Sequence, residues 1–240
     1  MVYKTKGIIL HKIMHADNKM IVHVFTAEFG PKSYMLHFSL RKDKKKQMAT
    51  LLPLAVVELL AEQKQASSLE YVKEIHLIHT CNPYCFDVMK SSVTQFLNEI
   101  LNKILWQCGS DKQLFNFIEN AFIEFDSHDF IPDFHVRFLL HLTEYLGCFP
   151  DNNYSEKQAS FNCRMARFDD DCAQSLEDAE TNLWLHVLLK QGLIPDNPQL
   201  IVPYAIRNRL LKLILMYYTE HVTNLTGLKS QEILHTVLRN

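Results

Sequence analysis

Five cations fall within six positions at Arg41, Lys42, Lys44, Lys45 and Lys46, interrupted by Asp43. Guanidinium and ammonium groups packed that densely suit phosphate neutralisation. The run sits between two apolar stretches with strand character, 33–38 and 51–60, so it reads as a basic loop on a β scaffold. The other cations of the first 50 residues, Lys4, Lys6, Lys12, Lys19 and Lys32, meet three acids there, Asp17, Glu28 and Asp43. Residues 1–50 carry +7 and the whole chain −2, which leaves −9 for residues 51–240. Folding a small barrel gathers those lysines near the cluster. The expected interface is for a polyanion, with Lys12 and Lys32 flanking the five clustered cations. A solvated hairpin tip that keeps a sheet soluble is the bland alternative.

Other constellations carry less. His76, His79, Cys81 and Cys85 have metal-ligand types within ten positions, but an odd spacing on one strand turns His76 and His79 to opposite faces. Asp169, Asp170 and Asp171 are consecutive, so their side chains diverge and a solvated loop is the expectation. Ser127, His128 and Asp129 are neighbours, whereas a triad converges from separate places. The six glycines lie too far apart for either a P-loop or a dinucleotide-binding turn. The expectation is no enzyme, no cofactor and no metal.

The elements that position the basic cluster follow from hydrophobic period. Up to about residue 80 the signal is strand-like, in runs 7–13, 20–26, 33–38, 54–60 and 69–79, with turn residues between. Five short strands suit a small barrel of the OB type. Tyr34 and Phe38 are barrel aromatics that either stack on bases or fill the core. Beyond Pro83 the period becomes helical. One helix spans 88–107, and another follows Asp111 with a stripe of Leu114, Phe115, Ile118, Phe122 and Phe125, expected in helix-to-helix packing. A third is capped by Asp133 and stops at Gly147. After an irregular stretch with room for short strands, 150–171, a helix opens at Ser175 with Leu183, Trp184, Val187 and Leu188 buried. Helices 204–222 and 230–239 end the chain. The fold class is α+β, with an OB-fold domain over 1–80 and an all-helical domain over 81–240 that holds an irregular insertion at about 148–174. No stretch is apolar enough to span a bilayer and the amino terminus lacks an export signal, so the expected location is the cytoplasm.

Particular residues carry a family resemblance. Residues 6–12 (KGIILHK) and 21–30 (IVHVFTAEFG), the basic 41–46 segment and 51–54 (LLPL) resemble the opening of the bacterial DNA repair protein family RecO. Arg137-Phe138 with Leu140, Leu142 and Leu146-Gly147 is similar to a helix of that family, and Leu228-Lys229-Ser230 to its C-terminal signature. The correspondence covers nearly the full length.

The resemblance implies a non-enzymatic, nucleoid-associated recombination mediator. Such a protein binds single- and double-stranded DNA, anneals complementary strands and associates with RecR. It contacts the acidic C-terminal tail of single-stranded DNA-binding protein and helps load RecA at gaps, with RecF as an indirect partner. By the same resemblance Arg41, Lys42, Lys44, Lys45 and Lys46 are DNA contacts, and Arg137 pairs with the tail's carboxylates. An ordinary helix-surface ion pair is the alternative for Arg137. This chain departs from the family in two places: it lacks the glycine many relatives have just ahead of the basic segment, and Cys148, Cys163 and Cys172 are too few for their four-cysteine zinc site. Two other classes compete with DNA repair: an adaptor for an acidic protein partner, and an RNA-binding barrel.

Overall fold

The computed structural model describes residues 1–16, 18–37, 51–62, 69–80, 87–170 and 178–239. They form two compact units, Met1–Asp126 and Ser127–Asn240, in an α+β chain.

The first unit begins with strands β1 (Val2–Ala16), β2 (Lys19–Thr26), β3 (Gly30–His37), β4 (Val56–Glu62) and β5 (Glu70–His79). They close into a barrel in the order β1-β2-β3-β5-β4, antiparallel except for the β3–β5 contact, which is the OB arrangement. Alternation explains the closure. In β2, Met20, Val22 and Val24 point into the barrel while Lys19, Ile21 and His23 point out. In β4 the inward set is Val57, Leu59 and Ala61. Strand β1 starts five residues earlier than its apolar run, because Val2–Ile8 pairs with β4 while Gly7–Ala16 pairs with β2. One long strand thus belongs to both walls, and the polar Lys4 and Lys6 fit its outer face.

Gly30 closes the β2–β3 turn at φ +70, with the Thr26 hydroxyl donating to its carbonyl at 2.7 Å. A Cβ there would lie 2.8 Å from the Gly109 carbonyl group. Gly30→Ala combines a left-handed backbone with a backbone clash, and is expected to cost about 2–4 kcal/mol in urea unfolding. A loss below about 1 kcal/mol would show that the turn yields freely.

Helices α1 (Val88–Ile104) and α2 (Lys112–Ser127) complete this unit, joined by a 3-10 turn over Leu105–Gln107. Asp87 caps α1, accepting from Met89 N at 2.9 Å, and Asp111 caps α2, accepting from Leu114 N at 2.9 Å. The aromatic stripe of α2 is buried, and Phe115 meets Phe25 of the barrel with ring centroids 5.9 Å apart. Part of its packing is therefore helix on sheet. Asn98 donates to the Leu10 carbonyl at 2.9 Å, and Ser110 to the Glu28 carbonyl at 2.7 Å.

The second unit holds α3 (Phe134–Tyr145), a two-stranded ribbon of β6 (Ser160–Asn162) and β7 (Arg167–Asp169), α4 (Ala179–Leu188), α5 (Tyr204–His221) and α6 (Ser230–Val237). Gly147 ends the third-helix segment at φ +74, as a left-handed stop requires. Two expectations need correction. Asp133 begins α3 without capping it: its Oδ2 accepts from Arg137 and from Val202 N, each at 3.0 Å. Asp178, not Ser175, caps α4, accepting from Thr181 N at 2.8 Å, while Ser175 lies outside the described residues. The buried face is consequently Thr181, Asn182, Leu185 and Leu188, and Leu183 is exposed. Among the described residues no helix is long and apolar enough to cross a membrane, and no cluster of three or more His, Cys, Asp or Glu side chains could hold a metal.

Candidate nucleic-acid interface

The clustered cations Arg41, Lys42, Lys44, Lys45 and Lys46 lie outside the described residues. Described residues flank them on either side in sequence. Strand β3 ends at His37, which is paired with the exposed Lys19 at the start of β2. The described residues that flank the basic segment in sequence are thus His37, beside Lys19, and the fully buried Leu51. Lys12 lies nearby on β1, opposite the inward-facing Val22, and partial burial lowers its pKa from the ordinary lysine value. Lys12 and Lys19 make no ion pair among the described residues.

The other early lysines are committed elsewhere. Lys4 pairs with Glu58 at 2.8 Å, Lys6 with Glu119, and Lys32 with Glu70. Lys32 also stands over the rings of Phe29 (5.0 Å) and Tyr3 (5.6 Å). Glu70 is buried and accepts from the Tyr3 hydroxyl, which is 3.1 Å from that of Tyr34. Burial pushes the Tyr34 phenol up to about 12 and the Tyr3 phenol higher still. Lys32 is thus one corner of a polar network joining β1, β3 and β5, and its charge is already balanced.

These pairs change the electrostatic picture. The first compact unit holds 15 Lys and Arg against 13 Asp and Glu, and the second 10 against 14. The asymmetry is +2 against −4, much smaller than counting residues 1–50 against the rest implies. The acidic partners of Lys4, Lys6 and Lys32 all come from beyond residue 50, Glu58 and Glu70 on barrel strands β4 and β5 and Glu119 on α2. Among the described residues, the barrel lysines without an ion pair are Lys12 and Lys19.

Of the two readings of Tyr34 the structure shows the core one, while Arg137 departs from its reading. Tyr34 is fully buried inside the barrel and cannot stack on a base, and Phe38 lies outside the described residues. Arg137 is not on a surface: it is 1% exposed, and its donors go to Asp133, Gln191 Oε1, and the carbonyls of Gly192 and Leu200. Its carboxylate partner is internal, which overturns the expectation of an exposed guanidinium.

The outer face of β1–β2–β3 carries a group that charge counting overlooks. Register aligns His11 with His23 and Ser33, Ile13 with Ile21 and Met35, and Lys19 with His37. The His11 and His23 ring centroids are 5.8 Å apart, and those of His23 and Trp106 are 5.1 Å apart with the rings nearly perpendicular. Burial and the neighbouring His11 lower the pKa of His23 below the usual histidine value. The parity of β2, with Ile21 and His23 opposite in phase to Val22 and Val24, is the sequence signal for this face. Trp106, arriving from a helical segment, has no such signal.

Comparison with known proteins is consistent with this architecture. Residues 1–81 match the family model described as the N-terminal part of recombination protein O. A DNA repair protein RecO of Flavobacterium psychrophilum is 33% identical over 98% of each chain. Those of Flavobacterium johnsoniae and Azobacteroides pseudotrichonymphae are each 32% identical, over 98% and 99% of each chain. A solved chain of the Entamoeba histolytica asparaginyl-tRNA synthetase overlaps 68% of this chain and 36% of that one, with 9% identity and a TM-score of 0.28.

Proposed function

This chain belongs to the RecO family of DNA repair proteins, and from that premise we propose that it is a non-catalytic recombination mediator that binds single- and double-stranded DNA without sequence specificity. The observation that carries the reading is that Lys12 and Lys19, the barrel lysines without an ion pair among the described residues, lie on β1 and β2, with Lys19 paired to the last residue of β3. In sequence, Arg41, Lys42, Lys44, Lys45 and Lys46 follow His37, the last residue of β3, which the closed OB barrel pairs with Lys19. Ammonium groups offered from a rigid scaffold neutralise phosphates regardless of sequence. Lowering the repulsion between two complementary strands in this way accelerates their annealing.

The finer parts of the role are association with RecR, contact with the acidic tail of single-stranded DNA-binding protein, and assistance to RecA at gaps. They rest on family membership. The role sets the protein to work on the chromosome in the cytoplasm.

The test is a salt titration. Lys44, Lys45 and Lys46 changed together to Ala are expected to weaken binding uniformly across DNA sequences and to flatten the salt slope by up to about three units. An unchanged slope would remove the cluster from the interface. Parallel arms with RNA and an acidic peptide, followed by an annealing assay, separate this reading from the adaptor and RNA-binding alternatives.

A further inference from the structure

The geometry points to a base-stacking track for single-stranded nucleic acid on the outer face of β1–β2–β3, formed by His11, His23 and Trp106. The inference rests on the DNA-binding reading above and specifies a second, chemically different contact within it.

The rings are arranged as a surface and not as a core. His11 is exposed, His23 half-buried, and Trp106 is 40% exposed. His11 and His23 face one another across the β1–β2 ladder, tilted by 35°, while Trp106 stands edge-on to His23 at 82°. The Ser33 hydroxyl is 3.3 Å from His23 Nδ1, which fixes the ring's orientation from the third strand. Successive outward residues on a strand stand about 6.6 Å apart. The next row holds Ile13, 46% exposed, with Ile21 half-buried opposite and Met35 buried beyond it, and the row after that holds Lys19 and His37.

This sequence of rows fits one class of ligand. Flat rings and the exposed Ile13 offer contact to unstacked bases, while Lys19 offers a contact to phosphate at the end of the track. Among the described residues no carboxylate is hydrogen-bonded to or ion-paired with His11, His23 or His37, so nothing described on these rings repels a polyanion. A protein partner's apolar surface would find this face interrupted by polar rings in every row but one. The lowered pKa of His23 keeps its ring uncharged near neutral pH, as suits stacking. Duplex DNA buries its base faces, so the track discriminates single strands, whereas the lysine cluster treats both forms alike.

The chain has two tryptophans, Trp106 and Trp184, which provides the reporter. In a Trp184→Phe protein, a saturating oligo-dT is expected to quench Trp106 emission, and a duplex at the same salt is expected to quench it much less. Trp106→Phe in the otherwise unaltered protein removes the same quench, a control that does not depend on the Trp184 variant folding. His11→Ala with His23→Ala is expected to weaken oligo-dT binding by about 5–150-fold, with duplex affinity and salt slope unchanged. Emission from Trp106 that ignores saturating oligo-dT overturns the track. So does an equal loss of affinity for both DNA forms in the histidine variant. Failure to bind either form would overturn the DNA-binding reading itself, and this inference with it.

Discussion

Arg137→Met is expected to destabilise the helical unit by about 3–5 kcal/mol, because it strands a buried carboxylate. Asp133 is fully buried; its Oδ2 is shared by the Arg137 Nε and the Val202 amide, while Oδ1 has no hydrogen-bond partner among the described residues. The guanidinium also donates to Gln191 Oε1 at 2.9 Å, to the Gly192 carbonyl at 3.2 Å and to the Leu200 carbonyl at 2.6 Å. It ties α3 to the segment between α4 and α5, and His141 adds a bond to the Gln191 carbonyl at 2.6 Å. Methionine fills much of the volume but leaves the carbonyls and the carboxylate without these donors. Lysine keeps the charge but cannot reach four acceptors from one ammonium, so Arg137→Lys should also lose stability, though less. Adding Asp133→Asn to Arg137→Met should restore part of the loss, since the stranded charge is gone. Urea unfolding of the full chain followed by circular dichroism checks all three. A loss under about 1 kcal/mol for Arg137→Met would mean that desolvation of the pair cancels its attraction. Where the variant remains folded, its affinity for an acidic peptide is expected to equal that of the unaltered protein.

Arg137 shows where sequence reading stops. Its type and its place in a family-like helix were legible, but its burial was not. A guanidinium is usually exposed, and three of the four acceptors that permit its burial come from residues 54 to 63 positions later. The same separation hid the ion pairs of Lys4, Lys6 and Lys32, because Glu58, Glu70 and Glu119 are distant in the chain and near in space. Strand identity was more accessible. Period-two alternation reports burial directly, so all five strands of the closed barrel were visible, although the first 5 residues of β1 were missed because their partner is β4. The change of period near residue 80 marks where helices begin. The compact unit runs on to Asp126, as α1 and α2 are bound to the barrel through Asn98, Ser110 and Phe115. For the interface, the strands on either side of the basic segment could be read, while the segment itself lies outside the described residues. The His11, His23 and Trp106 group could not, because it needs the register of three strands and the end of a helix.

A pH dependence of stability follows from His135. The side chain is 2% exposed on α3, with Arg207 of α5 and His235 of α6 as the charged and titratable groups that act on it. Burial, then the Arg207 guanidinium, then His235 hold its pKa down to about 3. The unfolded chain, with a histidine pKa of about 6.5, takes up the proton first as pH falls, so protonation favours unfolding. The stabilising contribution is complete above about pH 6.5 and is lost progressively from there down to about pH 3. The slope is about 1.4 kcal/mol per pH unit, so about 2–3 kcal/mol should be gone by pH 4.5. His23, His141 and His186 are also shifted down and act in the same direction, so the contribution of His135 must be isolated. His135→Leu removes the titrating ring while keeping an apolar body of similar size. Urea unfolding between pH 4.5 and 7.5 should show the leucine variant gaining on the unaltered protein by about 1.4 kcal/mol for each unit below pH 6.5. Two parallel curves across that range would mean that His135 takes up its proton without opening the fold, and would locate acid sensitivity elsewhere in the molecule.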